Sequence, residues 1–128
     1  MTKIVCISDT HGIDMYRVTI PDGDIIIHAG DFSSYGHQED TKYFLKWFGA
    51  LPHKHKVLIA GNHDKVPFER PSLFKSMVAC FPGVHYLEDS EVNLEGLTIW
   101  GAPWTPTFLN WYFMADRGPV IKHHWDKI

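Results

Sequence analysis

Ile25-Ile26-Ile27-His28-Ala29-Gly30-Asp31 and Val57-Leu58-Ile59-Ala60-Gly61-Asn62-His63-Asp64 are two short apolar runs that each stop at a glycine and then at polar residues. Short runs of this kind, bounded by turn residues, are the pattern of strands buried on both faces in a parallel sheet. Between them, Gln38 to Leu51 repeats with a helical period. Phe44, Leu45, Trp47, Phe48 and Leu51 fall on one face, Glu39, Asp40, Lys42 and Lys46 on the other, and Pro52 closes the segment. Strand, helix, strand in that order predicts an α/β fold with a parallel sheet and flanking helices.

Working outward, Lys3 to Ser8 is a third apolar run, expected to be a buried strand, and it stops at Asp9-Thr10-His11-Gly12. Pro71 is placed to open a helix through Phe81, with Leu73, Phe74, Met77 and Val78 inward. Val84 to Leu87 reads as a short strand. Glu91–Leu94 and Leu97–Gly101 around Glu95-Gly96 read as a β-hairpin. Ala102 to Arg117 is rich in aromatic and turn residues, and Pro119 to Ile128 suits a short helix.

The chain has 128 residues, 45% hydrophobic and 21% charged, which suits one domain over 1–128. Its 12 Lys+Arg against 15 Asp+Glu leave a net charge of −3, so a generic nucleic-acid or anionic-membrane binder is not indicated. Any phosphate must be held locally. No apolar run approaches the roughly 18 residues of a membrane span, and Met1-Thr2-Lys3 leads straight into a strand-like run. A cytoplasmic protein is expected, with Cys6 and Cys80 as two buried thiols.

Three apolar runs therefore end in metal-ligand residue types: Asp9 and His11, then Asp31, then Asn62 and His63. In a parallel sheet the carboxyl ends of the strands share one edge, where ligands of open α/β folds bind. The five side chains are expected to converge there. Oxygen and imidazole donors without thiolate suit Mn, Fe(II), Zn or Ni, and one carboxylate can bridge two ions about 4 Å apart. Asp31 is the candidate bridge. Each cluster alone is ordinary turn chemistry, because Asp, Asn and Gly dominate loops. Their recurrence at successive strand ends favours a metal site.

Asp9-Thr10-His11, Gly30-Asp31 and Gly61-Asn62-His63-Asp64 resemble the D-x-H, G-D and G-N-H-[DE] signatures of the calcineurin-like metallophosphoesterase superfamily. Trp100 to Pro106, with Asn110-Trp111 and Arg117-Gly118, is similar to a narrower branch, the metallophosphodiesterase-domain (MPPED-type) proteins. The resemblance implies the N-terminal half of an αββα sandwich. It implies that Asp9, His11 and Asp31 are ligands of a first metal and Asp31 and Asn62 ligands of a second. His63 is then the catalytic histidine that contacts phosphate or protonates the leaving group. The implied reaction is hydrolysis of a small phosphodiester by a hydroxide held between two divalent ions.

Two departures qualify that expectation. Family phosphomonoesterases continue G-D-x-x-D-R-G, where the second Asp orients the histidine and the Arg grips phosphate; Ser34 and Tyr35 stand there instead. This favours a phosphodiesterase over a protein-phosphatase reading. The family's later ligands, a strand-end His and a G-H-x-H motif, have no match before Ile128. The first site would then lack one protein ligand and the second two, which leaves room for one bound ion. The competing expectation is a catalytically impaired or non-catalytic metal- and phosphate-binding remnant. A homo-oligomer, or a complementing C-terminal chain, is expected to cover the sheet.

Among the other histidines, His28 is expected to be a hydrogen-bonded core residue, His53 and His55 a solvated basic edge, and His123-His124 an exposed pair. Trp104, Trp111, Phe108, Tyr112 and Phe113 suit packing at least as well as stacking on a nucleobase or aryl group.

Overall fold

The computed structural model describes residues 1–128. Four parallel strands, β1 (Ile4–Ile7), β2 (Ile25–His28), β3 (His55–Leu58) and β4 (Val84–Tyr86), lie side by side in chain order. Parallel neighbours require crossovers, and the intervening segments supply them. A one-turn 3-10 helix at Met15–Arg17 follows β1, α1 (Gln38–Gly49) follows β2, and α2 (Lys65–Glu69) and α3 (Pro71–Ala79) follow β3. The period-2 alternation of strand side chains then divides the core. Ile26, Leu58 and Val84 face the helices and join Phe32, Phe44, Leu45, Trp47, Phe48 and Phe74 in one cluster. Ile25 and Val57 point the other way, toward Leu87 and Leu94.

That second face is covered by the hairpin of β5 (Ser90–Leu94) and β6 (Leu97–Gly101). Its two-residue turn, Glu95-Gly96, has φ of 50° and 78°, the left-handed pair that matches strand twist in tight hairpins. A further two-residue pair, β7 (Thr105–Pro106) with β8 (Met114–Ala115), precedes α4 (Pro119–Trp125). The α/β reading with a parallel sheet and flanking helices holds. No helix is long and apolar enough to cross a membrane.

Several local expectations are corrected. β1 is an edge strand with a neighbour on one side only, so Ile4 remains exposed and the strand is not buried. Cys6 on this strand and Cys80 at the end of α3 are both free and exposed, not buried. His53 is buried, with its Nε2 2.9 Å from the Pro21 carbonyl. His123 is exposed, whereas His124 is half-buried and stacks on Trp104 at 3.9 Å between ring centroids. Helix α2 has no periodic signal in the sequence because it is five residues long and contains Pro67.

Two buried polar side chains tie the strand ends together. Backbone N–H groups first extend the β1–β2 pairing into the loops: Asp9 donates to the Gly30 carbonyl, His11 to Asp31 and Gly12 to Phe32, at 3.0–3.1 Å. Within that frame, His28 accepts from the Gly30 N–H at Nδ1 (3.2 Å). Its proton must then sit on Nε2, 3.0 Å from the Thr10 hydroxyl. The loop after β2 is joined to the loop after β3 by Asp64, which is fully buried. Its carboxylate accepts from the backbone N–H groups of Asp31 (2.8 Å), Ser33 (2.9 Å) and Gly61 (2.8 Å) and from the Ser33 hydroxyl (2.8 Å). Burial pushes the Asp64 pKa up to about 6 despite these donors, which serve only the ionised form.

Removing an acceptor that four donors share strands buried N–H groups, each costing about 1–3 kcal/mol. Asp64→Ala should therefore lower stability in urea unfolding by about 3 kcal/mol or more, whereas Ser33→Ala, which removes one hydroxyl, should cost about 1 kcal/mol. Equal losses would show that the carboxylate is not the shared anchor.

His28 generates a pH dependence of defined sign. Burial among aromatic rings lowers its pKa from 6.5 to about 4. A depressed folded pKa contributes stability that is complete above pH 6.5 and is lost as pH falls through about 4. In metal-free protein the stability difference between wild type and His28→Gln should shrink by about 3 kcal/mol between pH 7 and pH 4. A pH-independent difference would mean that His28 carries its proton in the folded state. Asp64 is common to both chains and cancels.

Candidate metal centre

The expected site residues all lie in the three loops beyond the carboxyl ends of β1, β2 and β3. Three of them sit on unusual backbone: Asp9, His11 and Asp31 have φ of 54°, 43° and 59°. Left-handed geometry disfavours residues with a Cβ, at about 1–2 kcal/mol each, and such strain concentrates at functional sites. Asp9, His11 and Asp31 nevertheless approach one another beyond the strand ends. Gly61 has a second role, since a Cβ there would collide with the Asp31 carboxylate. The close approach of the second and third loops depends on it.

At that point His11 Nε2 lies 3.5 Å from Asp9 Oδ1 and 4.0 Å from Asp31 Oδ2. Asp31 is mostly shielded from solvent and Asp9 mostly open to it. The hydrogen-bonding Ser8 hydroxyl holds the Asp9 carboxyl below the usual carboxylate range, with His11 adding to the effect. Asp31 also accepts the His63 N–H at Oδ1 (2.9 Å), so one carboxylate faces both neighbouring loops. His11, Asp31 and His63 each offer a ligand atom within 4.8 Å of the others. The structure thus brings these three together, with Asp9 beside His11. Asn62 is placed in the same loop as His63, where its carbonyl accepts the Tyr112 N–H (3.1 Å).

His63 is oriented by a partner that the sequence did not reveal. Its Nδ1 is 2.8 Å from the Ser34 carbonyl, which can only accept, so Nδ1 carries a proton. That leaves Nε2 as the nitrogen free to exchange one. The orienting role sought in a carboxylate at position 34 is filled by the main chain of Ser34. The His63 ring also meets the edge of His11 at 4.7 Å and lies against Trp111 at 4.2 Å.

Of the other aromatic candidates, Trp111 reaches the site, whereas Phe113 is buried between Phe68 and Trp104. Trp104 donates its indole N–H to Asp89 (3.0 Å), which His124 also contacts at 2.9 Å. These residues fasten α4 to the loop after β4. His37 is exposed at the start of α1. Neither Asp64 nor Trp111 was separable in the sequence from a turn residue or a packing residue.

The donor set fits a divalent ion. Two carboxylates and two imidazoles approach with no Lys or Arg paired to them, and the oxygen and nitrogen donors suit Mn, Fe, Zn or Ni.

Comparison with known proteins gives the same reading. The family model for calcineurin-like phosphoesterase matches residues 2–128. The human protein named metallophosphoesterase domain-containing protein 1 is 34% identical over 147 residues, covering 99% of this chain and 45% of that protein. A Caenorhabditis elegans relative, UPF0046 protein C25E10.12, is 36% identical over 140 residues, covering 98% of this chain and 49% of its own length. The chain thus spans about half the length of the curated relatives it matches. The strained ligand loops, the shared Asp31 carboxylate and this match along the chain agree on one conclusion: the chain belongs to the calcineurin-like phosphoesterase family.

Proposed function

We propose that the chain is a metal-dependent phosphoesterase acting on small phosphodiesters. The observation that carries this reading is the approach of His11 Nε2 to both Asp9 and Asp31, at 3.5 and 4.0 Å, on left-handed backbone. Asp9, His11 and Asp31 would hold one divalent ion, with Asp31 and Asn62 facing a second. Such ions, manganese being the first to test, supply positive charge to phosphoryl oxygens and an acidified water as nucleophile.

The remaining tasks fall to this chain's side chains. Asp31 orients the His63 loop through the His63 N–H and cannot move without moving that residue. His63, with Nδ1 donating to the Ser34 carbonyl, can present an Nε2 proton to a leaving oxygen when it is imidazolium. Asn62, next to it in the chain, would contact phosphate. Tyr35 replaces a cation that would grip a dianionic monoester, which favours the singly charged diester. The exposed free thiols of Cys6 and Cys80 suit a reducing, cytoplasmic setting.

Bis(p-nitrophenyl) phosphate with Mn²⁺ tests the assignment. Asp31→Ala should abolish turnover, and unchanged activity would assign the hydrolysis to a contaminant or another site. His63→Gln should lower kcat about 100-fold on an alkyl leaving group and much less on p-nitrophenolate, which leaves without protonation. Equal losses on both would remove the acid role. Metal analysis of gently purified protein distinguishes the one-ion from the two-ion arrangement.

The exposed β1 edge supports a second proposal, that a further copy of the chain packs along it. Light scattering should then give a mass at least twice the 14.7 kDa of one chain. A well-behaved monomer at high concentration would refute it.

A further inference from the structure

Beside His63 lies a cleft of about 330 Å³ whose walls include Tyr35, Leu109, Trp111 and Tyr112. Ser34, Asn110 and His63 complete its lining, and the segment that forms its apolar wall is constrained at several points. The segment from Thr107 to Phe113 is closed at its base by the β7–β8 pair, with Thr105 N–H donating to Phe113 and Thr107 N–H to Ala115, both at 3.1 Å. Phe113 anchors it between Phe68 and Trp104. Tyr112 N–H ties it to the Asn62 carbonyl in the loop after β3. Leu109 and Phe113 are held at φ of 59° and 52°, conformations that bulky side chains avoid.

Leu109 and Trp111 on this anchored segment, and Tyr35 across the cleft, hold apolar side chains open to solvent. Leu109 is 66% exposed, Trp111 38% and Tyr35 80%. A cluster of exposed aromatic groups on strained, tethered backbone is a surface with a missing contact. The Trp111 ring centroid is 4.2 Å from that of His63, so a group lying on the free part of the indole is within about one ring width of any atom that His63 contacts. A ring attached directly through oxygen to phosphorus meets that spacing. A nucleobase, set apart from phosphorus by its sugar, does not.

We propose that the Tyr35–Trp111 cleft is a specificity subsite for the aromatic ring of an aryl phosphoester, with Trp111 as the principal stacking surface. The assignment rests on the phosphoester reading of the adjacent site. Tyr35 occupies the position where the resembled monoesterases carry a phosphate-gripping Arg, so one substitution both removes charge from the phosphate subsite and adds a wall to the ring subsite.

Non-hydrolysable phosphonates separate the two readings by calorimetric titration of the chain with Mn²⁺. The singly charged half-ester methyl phenylphosphonate should bind about 10-fold more tightly than methyl methylphosphonate, the scale of one aromatic stack. Trp111→Ala should bring the ratio close to one, chiefly by weakening the phenyl ligand, and Trp111→Phe should restore most of it. Equal binding of the two ligands by wild type would overturn the subsite while leaving the phosphate site intact. A parallel loss for both ligands in Trp111→Ala would reduce Trp111 to a packing partner of His63. A larger Trp111-dependent gain for a nucleoside monophosphate would overturn the directly attached ring. Binding of neither phosphonate would overturn the phosphoester reading and the subsite with it.

Discussion

The Asp64 carboxylate, buried at the start of α2, is the point through which the loops of this molecule are held in common. Its oxygens receive N–H groups from Asp31, Ser33 and Gly61 and the hydroxyl of Ser33. A buried carboxylate is tolerable only when such donors replace water. The donors come from two loops that are separated by α1 in the chain, so satisfying the charge and closing the loops are the same event. Gly61 lets the backbone come near enough, because any side chain there would occupy the space of the Asp31 carboxylate.

The strain in the site follows from that closure. Asp9, His11 and Asp31 adopt left-handed backbone, and the opposing forces are visible around them. Backbone bonds from Asp9, His11 and Gly12 to the neighbouring loop, the His28 bridge between Thr10 and Gly30, and the Asp64 anchor together over-determine the conformation. His28 works in this frame only as a neutral ring, since the Gly30 N–H occupies its Nδ1. The acid–base properties of the interior and the geometry of the candidate ligands are therefore linked through the same few hydrogen bonds.

The loops that leave the carboxyl ends of the four parallel strands differ in purpose. Beyond β1, β2 and β3, polar side chains converge in partly open loops. Beyond β4, Asp89 gathers Trp104, His124 and Lys127 into a fastening for α4. Burial raises the pKa of Asp89, but donation from His124 and Trp104 outweighs it and keeps the carboxyl below its ordinary range. Similar residue types thus serve attachment in one place and a convergent ligand set in another; Asp89 takes its three partners on Oδ2, whereas Asp31 faces His11 with one oxygen and the His63 N–H with the other.

The sequence by itself determined the order of strands and helices, the hairpin at Glu95-Gly96 and the run of ligand types after β1, β2 and β3. These are local patterns: apolar period, turn residues and their spacing act within a few residues of one another. It did not determine that β1 lies at an edge and leaves Cys6 exposed, that His53 is buried, or that α2 forms across Pro67. Burial depends on which elements lie alongside, and apolar runs look alike at the centre and at the edge of a sheet. Tertiary structure also decided that the Ser34 carbonyl orients His63, that Asp64 is an anchor and that Trp111 lies over His63. Those contacts join residues about 30 to 50 positions apart through backbone atoms and ring faces, which leave no periodic trace in the chain.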